Sequence, residues 1–190
     1  MGWGAESRDE ELMLLYRDGD VGAFDALYAR HKGGLYRYLL RQCRDAAAAE
    51  ELFQDVWMSL VRARGGYTVQ AKFTTYLYRI AHNRLIDHYR SNARVALATF
   101  EEEDCDAMAE LPDGRQPPPE AALDARRQAS RLLELIAELP EAQREAFLLQ
   151  QEGGMSVEEI ARSTGVPRET AKSRLRYAIA KLREGMRAWR

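Results

Sequence analysis

The stretch MSVEEIARSTGVPRETAKSRLRYAIAKL, Met155 to Leu182, decides the fold. Ser156 and Glu159 have the spacing of a capping box, in which the hydroxyl takes an amide three residues on and the carboxylate reaches back. Val157, Ile160 and Ala161 give the helix behind that cap one apolar side. Gly165 can adopt the left-handed conformation that stops it. Val166 fills the corner, and Pro167 pre-sets the first turn of a second helix. On that helix Ala171, Leu175, Ala178, Ile179 and Leu182 form a stripe that must be buried. At 3.6 residues per turn, Glu169, Thr170, Ser173, Arg176 and Tyr177 point the other way. Lys172 flanks this outer face on one side, Arg174 and Lys181 on the other. Phosphates wall a DNA major groove and base edges lie at its centre, so polar readers between two cationic rims suit it. The plainer alternative is the solvated face of an ordinary bundle helix.

The pattern on either side is helical throughout. Glu10 to Arg17 is a short helix with Leu12, Leu15 and Tyr16 inward. Asp20 caps a helix from Val21 to Arg41, where Gly33-Gly34 predicts a kink or break. Asp45 caps a third, from Ala46 to Arg64, with Leu52, Phe53, Val56, Leu60 and Val61 on its apolar side and Glu51, Gln54, Asp55 and Met58 on another. A loop from Tyr67 to Lys72 precedes a long helix from Phe73 to Tyr89 or Arg90, packed through Leu77, Ile80, Ala81, Leu85 and Tyr89. Between Ala93 and Ala121 the periodicity fails. Acidic residues from Glu101 to Asp113, then Pro117-Pro118-Pro119, predict a linker. Apolar spacing resumes at Leu123, and Pro140 starts a further helix, Glu141 to Glu152. The expectation is all-α: two small helical domains, 1–94 and 126–190, joined by a flexible acidic linker, 95–125, the second domain carrying a helix-turn-helix.

Composition narrows the function classes. The 190 residues are 46% hydrophobic, enough for a core, with a net charge of −2. That charge and a pI near 6.0 look wrong for a nucleic-acid binder, but the charges are segregated. From Pro167 onward Arg168, Lys172, Arg174, Arg176, Lys181, Arg183, Arg187 and Arg190 face only Glu169 and Glu184, and a phosphate backbone responds to local sign. Cys43 and Cys105 lack disulfide-scaffold or metal spacing. No apolar run approaches membrane length and no signal peptide opens the chain, which predicts a cytoplasmic protein without membrane insertion. An enzyme finds little support. His82 and His88 are six apart and do not share a helix face, unlike an i, i+4 metal pair. No metal, cofactor or catalytic residue is expected.

The order Leu139-Pro140, Arg144, Gly154, Glu159-Ile160-Ala161, Gly165 and Thr170-Ala171-Lys172-Ser173-Arg174-Leu175 resembles region 4 of a bacterial sigma factor. In the first half, Phe24, Leu27-Tyr28, His31 and Leu35-Tyr36 resemble region 2.1. Ala49-Glu50-Glu51-Leu52-Phe53-Gln54-Asp55-Val56-Trp57 resembles region 2.2. Phe73, Tyr76-Leu77-Tyr78-Arg79-Ile80-Ala81, Asn83, Asp87 and Arg90 resemble regions 2.3 and 2.4. With nothing else between the halves, the chain is similar to the small group-four, or extracytoplasmic function (ECF), type of RNA polymerase sigma factor in the sigma-70 family.

The resemblance implies a transcription initiation factor, monomeric in the holoenzyme, with core RNA polymerase, promoter DNA and an anti-sigma factor as partners. It implies core binding by Glu51, Gln54, Asp55, Trp57 and Met58. Strand opening at the minus-ten element falls to Lys72, Tyr76, Arg79, His82, Asn83, Arg84 and Arg90 beside the Gly65–Lys72 loop, with Tyr78 as a further aromatic that stacks or packs. Tyr76 stands where relatives commonly have Trp, either as a stacking platform or as core. Minus-thirty-five readout falls to Pro167, Arg168, Thr170, Lys172, Ser173, Arg174, Arg176 and Tyr177. Glu169 can accept from a cytosine amino group, repel phosphate or pair with Lys172. Glu101 to Asp106 either stand in for nucleic-acid phosphates in polymerase channels or serve as a plain tether. The rival class is a stand-alone helix-turn-helix transcriptional regulator, which would bind duplex DNA without polymerase.

Overall fold

The computed structural model describes residues 7–98 and 119–188. Among them are eight α-helices and no strand. Helices α1 (Asp9–Arg17), α2 (Val21–Cys43), α3 (Ala46–Ala63) and α4 (Phe73–Ala98) build the first half. Helices α5 (Pro119–Ala137), α6 (Glu141–Gln151), α7 (Val157–Thr164) and α8 (Arg168–Ala188) build the second. The acidic residues Glu101 to Asp113 lie outside the described residues.

The caps read from the sequence are in place. Asp20 Oδ1 accepts from the Ala23 amide at 3.1 Å and Asp45 Oδ1 from the Ala47 amide at 2.8 Å. Each such cap is worth about 1 kcal/mol. The Ser156–Glu159 box closes reciprocally at 3.3 and 2.8 Å, and Gly165 ends α7 at φ +68°.

Three boundaries differ from expectation. Helix α2 runs unbroken through Gly33-Gly34. Its glycine serves proximity instead: a Cβ on Gly34 would stand 3.0 Å from the Tyr78 hydroxyl and 3.6 Å from the Glu152 carbonyl. Helix α4 continues past Arg90 to Ala98, and α5 begins at Pro119 rather than Leu123, so helix enters the expected 95–125 linker from both ends. No residue from Ser91 to Ala98 breaks a helix, and proline is tolerated in a first turn. Reading the boundary from apolar periodicity missed helix whose sequence carries no regular apolar stripe.

The first half packs around Leu12, Met13, Leu27, Leu35, Tyr38, Leu39, Leu60, Phe73 and Leu77, all with no exposed surface. At roughly 1.5–3 kcal/mol for each large apolar side chain, this core dominates stability. The second half closes α6 and α8 over Leu148 and Leu149. The halves also pack on each other, α2 against α6 and α4 against α7. Arg144, on α6, is buried in that seam. It donates to the Leu139 carbonyl at 3.2 Å and to Gln42 Oε1, on α2, at 3.2 Å.

Candidate nucleic-acid interface

Helix α8 presents the arrangement its sequence implies. Ala171, Leu175, Ala178 and Leu182 are buried against the domain, with Ile179 half-buried beside them. Pro167, Arg168, Lys172, Arg176 and Tyr177 are exposed, and Thr170, Ser173 and Arg174 half-exposed. The Arg176 guanidinium lies 5.0 Å from the centre of the Tyr177 ring, and the two form one surface. Arg168 is drawn back to α7, its Nε 2.5 Å from Glu158 Oε1. Glu169 sits 3.0 Å from Arg168 and 3.8 Å from Lys172, so of its three roles pairing is the one realised here. All four side chains in these pairs are at least half-exposed. Such pairs are worth about 0–1 kcal/mol and yield readily to a phosphate.

Helix α4 divides the expected minus-ten residues. Tyr76, Arg79, Asn83 and Arg90 fall on one stripe at helical spacing, with Lys72 at its head. Lys72, Arg79, Asn83 and Arg90 are exposed and Tyr76 is half-buried, its ring 5.1 Å from that of Tyr67. Arg84 is turned aside, donating to Ser59 Oγ at 3.2 Å. His82 is turned the other way, its Nδ1 2.5 Å from Glu145 Oε1 in the second half. Tyr78 is core, and its hydroxyl donates to the Glu152 carbonyl at 2.9 Å.

On α3, Glu51, Gln54, Asp55 and Met58 share an exposed face. Trp57 requires a correction: it is 5% exposed and 5.0 Å from Tyr28 and 5.7 Å from Phe24, ring to ring. One residue is 100° of helix, which takes Trp57 from the side of Met58 to that of Phe53 and Leu60. The surface apolar area comes from Met58 instead, 48% exposed.

Sequence reasoning missed what joins the halves. Glu145, Glu152 and Glu159 stand at seven-residue steps, and each meets the first half. Glu152, nearly buried, takes Arg37 at 2.8 Å and Arg41 at 2.5 Å. Glu159 Oε1 accepts from the Thr75 hydroxyl at 2.7 Å while Oε2 caps α7. The equal spacing was visible, but nothing local said what the carboxylates would face. Burial pushes the Glu159 carboxyl up; the Ser156 amide, the Thr75 and Ser156 hydroxyls and the Lys72 charge outweigh it and hold it below the usual range. A depressed carboxyl contributes stability that is complete above its unfolded pKa, about 4.3, and is lost as pH falls through the folded value. The contact between α4 and α7 is therefore expected to loosen only in acid below about pH 4. Glu159→Gln should flatten that limb of a stability–pH curve measured by denaturant titration; an unchanged limb would count against the assignment.

Among the described residues no group of three or more His, Cys, Asp or Glu could hold a metal, and no helix is long and apolar enough to cross a membrane. Burial pushes the Cys43 thiol up to about 12, so it carries almost no thiolate at neutral pH.

The first half matches Sigma-70 region 2 over residues 27–95, and the second matches Sigma-70, region 4 over residues 129–182. The RNA polymerase sigma factor CarQ of Myxococcus xanthus is 33% identical over 172 residues, 90% of this chain and 94% of that protein. The ECF RNA polymerase sigma factor SigM of Mycobacterium tuberculosis (strain ATCC 25618 / H37Rv) is 32% identical over 177 residues, 93% of this chain and 84% of that one. The chain belongs to the ECF group of the sigma-70 family. It is a transcription initiation factor, and a stand-alone helix-turn-helix regulator would have no use for region 2.

The fold of this sigma factor is also that of solved structures. The sigma factor RpoE of Bartonella quintana, in complex with the anti-sigma factor NepR, superposes with a TM-score of 0.72 at 19% identity, covering 90% of this chain and 100% of that one. CnrH, in complex with the cytosolic domain of CnrY, gives 0.65 at 22% identity, covering 96% and 99%. The α3 patch and the α4 stripe lie within the region 2 match, and the α8 surface within the region 4 match.

Proposed function

We propose that this sigma factor divides its work between residues 1–94 and 126–190, with 95–125 as the connection. The α3 face of Glu51, Gln54, Asp55 and Met58 docks on core RNA polymerase, its charges setting orientation and Met58 adding affinity. The α4 stripe of Lys72, Tyr76, Arg79, Asn83 and Arg90 receives the opened minus-ten strand, cations on phosphates and Tyr76 against bases. His82 and Arg84 join that surface only after leaving Glu145 and Ser59. On α8, Lys172, Ser173, Arg176 and Tyr177 read the minus-thirty-five element, with Pro167, Arg168, Thr170 and Arg174 along its backbone. The chain carries no catalysis of its own and works in the cytoplasm, as one copy in the holoenzyme. An anti-sigma factor is the expected regulator, a role supported by the complexes in which related folds occur.

The observation that carries this is the presence of two open cationic faces, on α4 and α8, in one chain with a separate acidic-polar face on α3. The packing of the halves adds a condition. Helix α7 packs on both α4 and α8, so at their closest the two cationic helices are no more than about two interhelical spacings, roughly 20 Å, apart. Promoter elements centred about 25 base pairs apart are roughly 85 Å apart along the duplex. The halves must part before one molecule can hold both elements. The test is run-off transcription with purified core polymerase on a genomic fragment library. Defined start sites that need both proteins are expected. Failure to bind core, or RNA starting nowhere in particular, would refute the proposal.

A further inference from the structure

The segment between α3 and α4 is suspended between two buried aromatic rings. Tyr67 is 4% exposed and Phe73 has no exposed surface. Between them Thr68, Val69, Gln70, Ala71 and Lys72 are all exposed. Both ends are held by α1, fifty or more residues earlier in the chain. Arg17 Nη1 donates to the Tyr67 carbonyl at 3.3 Å, and Glu10 Oε1 accepts from the Phe73 amide at 2.8 Å. The Arg64 guanidinium, at the end of α3, lies 5.2 Å from the centre of the Tyr16 ring. Helix α1 is itself anchored by Leu12, Met13 and Tyr16 and by Asp9, whose carboxylate meets Arg30 at 2.6 Å and His31 at 2.7 Å.

The cap on α4 is out of the ordinary. The residue ahead of Phe73 is Lys72, which has no acceptor to offer and puts a positive charge at the positive end of the helix. A local Ser, Thr, Asp or Asn would cap α4 better. The position is occupied by a cation, and the missing carboxylate comes from α1 through Glu10, whose side chain is 14% exposed. Lys72 stays exposed at the head of the stripe while the backbone behind it is satisfied.

We propose that α1 is a brace that presets residues 68–72 for strand opening, with Glu10 and Arg17 as positioning residues that touch no DNA. This rests on the assignment of that loop to the minus-ten element. A base leaving the stack must meet a receptor already formed, because ordering five loop residues at that moment would add to the cost of unpairing.

The test uses the full chain with core polymerase on a promoter found by run-off transcription, as intact duplex and as the same DNA pre-melted at the minus-ten element. Glu10→Ala is expected to lower initiation on duplex about tenfold and on the pre-melted template less than twofold. Glu10→Gln keeps an oxygen that can accept from the Phe73 amide, and should recover duplex initiation to within about threefold. Arg17→Gln, which leaves the α4 cap in place, should give the same split between templates. Equal loss on both templates for both Glu10→Ala and Arg17→Gln, no loss on duplex, or Gln no better than Ala at position 10 would overturn the brace. Should Glu10→Ala simply unfold, which its melting curve would reveal, Arg17→Gln decides. If the unaltered chain initiates nowhere, the sigma assignment itself fails; if it initiates and the variants match it, only the brace does.

Discussion

Arg176→Glu is expected to abolish promoter-directed transcription while leaving core-polymerase binding unchanged. Arg176 is exposed at the centre of the α8 face, where its guanidinium lies against the ring of the likewise exposed Tyr177. A lost base contact costs about 1–3 kcal/mol, and a carboxylate among phosphates adds repulsion, so a loss on the order of 100-fold or more should appear in run-off assays. Lys172→Glu should act in the same direction, since it would set a second carboxylate beside Glu169. Both changes are on the surface and should move stability by no more than about 0.5 kcal/mol. Co-elution with core polymerase separates the outcomes. Loss of core binding together with promoter activity would mean damage to the fold and would defeat the role given to α8.

The second large effect concerns the seam between the halves. Glu152→Lys replaces the carboxylate that Arg37 and Arg41 grip with a third cation. The Glu152 side chain is only 9% exposed, so the repulsion is poorly screened; the 44% exposure of Arg37 tempers it. A shift of roughly 2 kcal/mol toward parted halves, about 30-fold in the equilibrium, is the expected result. Fluorophores placed at the exposed positions Met58 and Ala180 would report it as a fall in energy transfer. Adding Arg37→Glu and Arg41→Glu to Glu152→Lys restores opposite charges across the seam and should restore the transfer. If Glu152→Lys leaves the transfer unchanged, or the charge swap does not recover it, the ion pairs do not hold the halves together.

Most of the fold was legible in local chemistry. Asp20, Asp45, Ser156, Gly165 and Pro167 each declare a helix end through their own side chain or backbone, needing no partner from elsewhere. The apolar stripes of α3, α4 and α8 declare their buried faces by period alone. Both kinds of signal fail where helix continues without an apolar stripe, which is why Ser91 to Ala98 and the start of α5 at Pro119 were not anticipated. Gly33-Gly34 misled for the opposite reason. Glycine marks flexibility in an isolated chain, but in α2 it makes room for Tyr78 and the Glu152 carbonyl.

The site residues divide along the same line. Lys172, Ser173, Arg176 and Tyr177 were legible because helical angle fixes which side chains oppose a buried stripe. Trp57 obeys the same rule: helical angle sets it beside Phe53 and Leu60 rather than Met58, and the rings of Phe24 and Tyr28 on α2 close over it. Glu159 shows both levels in one carboxylate. Its bond to the Ser156 amide, three residues away, follows from sequence spacing; its bond to Thr75, on α4, does not. The sequence by itself determined the helices, their ends and the outward face of α8, since those depend on neighbours within about four residues. Only the tertiary structure decided that Glu145, Glu152 and Glu159 close one half upon the other and that Glu10 caps α4, because a charge does not name its partner until packing has brought distant helices together.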